Sequence, residues 1–229
     1  MTNAMTSLIP AATSLSIANV LAGALVLVSF MMMYQDRISA VINVLALQAA
    51  ILGFAVIWQA YIQAAPELYI TAALALGFKA VVIPLALHRI VEKLGIHREV
   101  ETVAGISLTM LAGIGLVALS IVVMLHTAAH AEALAREDVA LALSVILLGM
   151  LMMVTRRNAV SQIAGFMSLE NGLILAATGA QGMPLVVEIS VAFSVLIAFI
   201  VIGVFLFRIR ERFDTVDSTV LDAFRGRLR

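Results

Sequence analysis

"AVSQIAGFMSLENGLILAATGA", residues 159–180, is the stretch whose reading decides the fold. It has the length a helix needs to cross a hydrocarbon core roughly 30 Å thick, about 20 residues. Yet its middle carries a carboxylic acid, Glu170. A charged side chain at the centre of a bilayer costs about 2.5–3.5 kcal/mol on insertion scales, so it faces protein or a water-filled cavity. Ser161, Gly165, Ser168 and Gly172 recur at 4-3-4 spacing, the kind of small-residue stripe along which membrane helices pack closely. At 100° per residue, Glu170 falls on the opposite face from that stripe. A helix with a packing stripe on one side and an acid on the other is expected inside a bundle or a larger complex.

The rest of the chain places this segment among others like it. Of 229 residues, 63% are hydrophobic and 12% charged, about half the charged share of an ordinary soluble domain. The mean hydropathy is +1.11. The predicted fold class is all-α: a polytopic membrane protein, one transmembrane domain over 1–229, with helices at roughly 14–34, 38–62, 66–88, 103–126, 137–155, 159–180 and 184–207. Polar breaks separate them, the longest being "HRIVEKLGIHREVE" at 88–101, and a polar tail follows at 208–229. No Lys or Arg precedes the first apolar run, so that run is expected to be a retained helix and not a signal peptide.

Charge sets the orientation. Alternate loops and the tail hold twelve of the fourteen basic residues, among them Arg37, Arg89, Lys93, Arg98, Arg156 and Arg157. The other side holds only Arg136, and Lys79 lies within a segment. The positive-inside rule then predicts seven spans, with the N-terminus outside and the C-terminus in the cytoplasm. "ALQAAILGF" and "SLENGLILA" occupy similar places before Pro66 and Pro184, a weak echo of two parallel three-helix repeats.

Lys79 is a second ionisable group at mid-membrane depth. A medium of low dielectric disfavours the charged form of either group, the condition a proton relay exploits. The competing reading of Lys79 and Glu170 is a structural ion pair between helices. Pro84 removes the backbone donor to Ala80 and predicts a helix kink there. Gln48 and Ser194 are mid-span polar residues that could join a relay by bonding water or a neighbour, or simply pack between helices. Glu188 could open an outer path or lie at the interface, and Glu67 reads as interfacial. His126 and His130, four apart, are a weak metal signal. With no cysteine, disulfides, iron–sulfur ligation and thiolate chemistry are excluded. No P-loop, nucleophile elbow, HExxH or nucleic-acid module is present.

"RRNAVSQIAGFMSLENG" (156–172), "GFKAVVIPL" (77–85) and "PLVVEISVAFSVLIAFIVIGV" (184–204), in this order, resemble hydrogenase-4 component E. That family supplies a membrane subunit to formate-hydrogenlyase-type, group 4 hydrogenase complexes, and the resemblance runs over essentially the whole chain. The last three helices are also similar to the small K-type subunit of complex I and to the C subunit of multisubunit cation/proton antiporters. The resemblance implies a non-catalytic membrane-arm subunit of a complex-I-like [NiFe]-hydrogenase-type oxidoreductase in a bacterial or archaeal inner membrane. It implies antiporter-like channel subunits and hydrogenase-type soluble subunits as partners. Nickel–iron and iron–sulfur centres are expected in those partners, and no cofactor in this chain. By the "LENG" match, Glu170 stands where the K-type subunit has the first of two buried glutamates. Ser194 stands near the second, so Lys79 and Glu188 become the candidates to complete a polar relay for proton or sodium movement. Two alternatives stay open: a cation/proton antiporter subunit without redox partners, and a purely architectural subunit.

Overall fold

In lipid, each backbone N–H and C=O must be satisfied within the protein, which leaves the helix and the closed barrel as spanning structures. The computed structural model describes residues 11–94, 105–127 and 133–179, and these are helical with no strand among them. The chain divides into two units, 1–191 and 192–229, and all the described residues belong to the first.

The elements are α1 (Ala11–Tyr34), α2 (Ile38–Gln63), α3 (Pro66–Leu74), a π-helical stretch (Ala75–Val82), α4 (Ile83–Leu94), α5 (Ile106–Thr127), α6 (Ala133–Thr155) and α7 (Ala159–Gly179). α3, the π-helical stretch and α4 run on without a break. Among the described residues, five helices are long and apolar enough to cross a membrane: Ser16–Tyr34, Ile38–Gln63, Pro66–Glu92, Ile106–His126 and Val160–Thr178. The apolar part of α6, Val139–Thr155, is shorter. The protein is thus a multi-pass membrane protein. The expected segment 184–207 lies outside the described residues.

Two boundaries differ from expectation by four residues or more. The third helix, expected to end at 88, runs to Leu94. Its polar residues are confined to one face: Leu87, Ile90 and Val91 are buried while Arg89 and Glu92 are exposed, so it is an amphipathic end and not a loop. α6, the fifth of the expected helices, begins at Ala133, before the expected 137. Just before Pro84, where a kink is expected, the helix is π-helical, and Ile83 N–H bonds the carbonyl of Phe78, five residues back.

Local chemistry explains the turns. α2 ends at Ala64, whose φ of 50° is left-handed and whose N–H bonds Ala60 O. Pro66 then opens α3 at its first turn, where no backbone donor is needed. Asn158 Oδ1 accepts the N–H of Val160 at 2.8 Å, capping α7.

α2 touches α1, α3, the π-helical stretch, α4 and α7, while α6 lies against α7, α5 and α1. α6 and α7 approach most closely. A Cβ on Gly149 would sit 2.5 Å from Leu169 N, one on Gly165 2.9 Å from Met153 N, and one on Gly172 2.8 Å from Ile146 N. Two members of the small-residue stripe, Gly165 and Gly172, therefore do pack helix on helix. α5 is the least covered, with Leu108, Leu111, Ile114 and Leu125 exposed.

Candidate functional site

Glu170 and Lys79 meet. Lys79 Nζ lies 3.2 Å from Glu170 Oε1 and donates to Asn171 Oδ1 at 2.9 Å. Asn171 Nδ2 donates to Gln48 Oε1 at 3.2 Å. Gln48 Nε2 donates to Ser29 Oγ at 2.8 Å and to Ser168 Oγ at 2.9 Å. Ser29 Oγ closes the chain by donating to Leu25 O at 2.8 Å. The cluster draws on α1, α2, the π-helical stretch and α7, and all six side chains are buried, Lys79 the most exposed at 5%.

Each element supplies its group for a structural reason. α7 holds its glycines against α6, which turns Glu170 away from that contact. Ser168 and Asn171 then face α2, one turn apart. Ser168 belongs by spacing to the packing stripe, yet its hydroxyl serves the polar cluster. Lys79 comes from within the π-helical stretch, where the i→i+5 bonding admits an extra residue into the turn. Pro84, which removes a donor from the start of α4, comes directly after it.

The chemistry separates the members. A proton can pass between an ammonium and a carboxylate, so Lys79 and Glu170 form one exchange unit. Primary amides keep their hydrogens, so Gln48 and Asn171 fix donor directions and carry no proton. Gln48, expected in the relay, sits as the hub that points Asn171 at Lys79. Asn171, Ser29 and Ser168 are site residues that the sequence pattern alone does not single out. Asn171 is within reach of sequence reasoning, being an amide next to the acid in an apolar run. Ser29 shares a helical face with the buried Ala22 and Leu25.

Glu188, Ser194 and His130 lie outside the described residues. Glu67 is exposed in the first turn of α3, and His126 Nδ1 is 2.9 Å from Val122 O of its own helix. Among the described residues no His, Cys, Asp or Glu cluster could hold a metal.

Two contacts mark the ends of the bundle. At one end the buried Arg156 donates through Nη2 to Met33 O, the last turn of α1. Burial lowers the pKa of this guanidinium and nearby Asp36 opposes that shift. At the other end Gln63 Nε2 donates to Thr178 O at 2.7 Å, joining α2 to α7.

The chain is 33% identical over 151 residues to "Uncharacterized protein Rv0085" of Mycobacterium tuberculosis. The alignment covers 64% of this chain and 68% of that protein. The chain belongs to the family of this mycobacterial protein. No family profile and no solved structure matches it.

Proposed function

We propose that the protein is a non-catalytic membrane-arm subunit of a complex-I-like oxidoreductase of the [NiFe]-hydrogenase type. It sits in a bacterial or archaeal inner membrane with seven spans, N-terminus outside and C-terminus cytoplasmic. Antiporter-like channel subunits and soluble hydrogenase-type subunits are its partners, and these carry the nickel–iron and iron–sulfur centres. Its own contribution is a buried exchange unit, Lys79–Glu170, through which ion movement is coupled to electron transfer.

The observation that carries this reading is the ion pair itself. Interhelical hydrogen bonds in membranes average about 0.6 kcal/mol, less than the roughly 2.5–3.5 kcal/mol that placing one charge at the bilayer centre costs. Helix adhesion is a poor reason to keep two such charges, whereas proton exchange requires them. The sequence resemblance to hydrogenase-4 component E names the assembly.

Glu170→Gln tests the role. The complex is expected to assemble normally, and ion translocation driven by its electron donor in membrane vesicles is expected to be abolished. Wild-type translocation by this variant would overturn the relay. Purification in mild detergent with mass spectrometry and metal analysis tests the assembly. Antiporter-like subunits with nickel and iron are expected. The same subunits without either metal would favour the ion-exchange alternative, and a lone protein would overturn both.

A further inference from the structure

We infer that the ion handled at this site is a proton and that Lys79 is the residue that excludes sodium. The inference rests on the relay reading above and names its substrate. Lys79 Nζ sits against one carboxylate oxygen, Glu170 Oε1 at 3.2 Å, and one amide oxygen, Asn171 Oδ1 at 2.9 Å. A carboxylate and a neutral oxygen converging in a buried interior are the ligand types a small alkali cation takes when protein oxygens replace its hydration shell. The ammonium occupies that cradle.

Among the described residues, the neighbouring polar groups are already bonded to one another. Gln48 Oε1 already accepts Asn171 Nδ2, and the hydroxyls of Ser29 and Ser168 already accept the two hydrogens of Gln48 Nε2. Charge argues the same way. Lys79 and Glu170 neutralise each other, and the remaining described charged groups lie outside the cluster, at helix ends and loops (Asp36, Arg37, Glu67, Arg89, Glu92, Arg156 and Arg157 among them). A sodium ion entering beside the ammonium would bury a positive charge with no counterion. Proton transfer from Lys79 Nζ to Glu170 breaks one N–H bond, forms one O–H bond and leaves two neutral groups. The site therefore changes state by moving a proton with no net change of charge.

The test uses the full chain purified with whatever subunits accompany it, in choline chloride and in sodium chloride at equal ionic strength. The melting temperature of wild type is expected to be the same in both salts, and donor-driven translocation in vesicles equally unaffected. Lys79→Met empties the cradle but leaves Glu170 and Asn171. Its melting temperature is expected to rise with sodium concentration, and Lys79→Met/Glu170→Gln is expected to lose that response. Where Lys79→Met fails to assemble, Lys79→Gln makes the same comparison.

A sodium-dependent melting temperature or translocation rate in wild type would overturn the inference. So would a folded Lys79 variant blind to sodium. The outcomes separate from those for the relay: if Glu170→Gln pumps normally the relay falls, while the melting response of the Lys79 variants still decides what the cradle binds.

Discussion

Removing one member of a buried ion pair and removing both have different consequences. Lys79→Met leaves the Glu170 carboxylate in the bundle without its countercharge, a loss of roughly 3–5 kcal/mol. Lys79→Met/Glu170→Leu removes both charges and is expected to return to within about 1–2 kcal/mol of wild type. Thermal unfolding in detergent at fixed low salt reads the difference, and comparable stability of the single and double variants would show that the two groups are not coupled. Gln48→Leu is a subtler change. It strands Asn171 Nδ2, takes the Gln48 donor away from the Ser29 and Ser168 hydroxyls, and is expected to cost about 1–3 kcal/mol. The two charged residues are legible in the sequence because ionisable groups within apolar runs stand out. The amides and serines between them are not, because nothing in a one-dimensional pattern says which mid-span polar residues face each other. Gln48 on α2 and Asn171 on α7 are 123 positions apart and meet at 3.2 Å.

At the scale of elements, the telling positions are those where backbone geometry leaves no slack. Ala64 holds a left-handed φ of 50° to end α2, a conformation that costs an L-residue roughly 1–2 kcal/mol. Ala64→Gly is therefore expected to stabilise the protein by about 1 kcal/mol, less what glycine loses by ordering. A fall in the unfolding midpoint would show that the methyl group matters more than the strain. Gly165 is the opposite case, since a Cβ there meets the backbone of Met153. Gly165→Val is expected to push α7 from α6 and cost about 1–3 kcal/mol. Such close approaches are legible as a small-residue stripe, but the stripe does not reveal that Ser168 faces α2. The π-helical stretch is not legible at all. It has no composition of its own, and Pro84 announces only that a backbone donor is missing. The end of the third span is misplaced when the polar residues at 88–94 are counted without asking whether they share a face.

For the whole molecule, the open quantity is which end of the bundle faces the cytoplasm and how many times the chain crosses. The structure relates the ends to one another. Arg156, between α6 and α7, bonds the last turn of α1, so the 35–37 and 156–158 loops share an end. Gln63 bonds Thr178, so the start of α3 and the end of α7 share the other. The basic residues Arg37, Arg89, Arg156 and Arg157 are expected on the cytoplasmic side by the positive-inside rule. The chain contains no cysteine, so single introduced cysteines report their positions without background. Arg157→Cys is expected to react with a membrane-impermeant thiol reagent only after the cytoplasmic face is opened. Glu67→Cys, exposed at the start of α3, is expected to react in intact cells. A cysteine appended after Arg229 decides the count. Seven spans place it with position 157, beyond the reagent in intact cells, and six place it with position 67. Labelling of both 157 and 67 from one side would contradict the helix order itself. Labelling of the appended cysteine from outside would leave the described bundle intact and remove the seventh crossing. Reversed labelling of 157 and 67, with the count unchanged, would invert the orientation of the bundle while leaving the geometry of the Lys79–Glu170 pair as it stands.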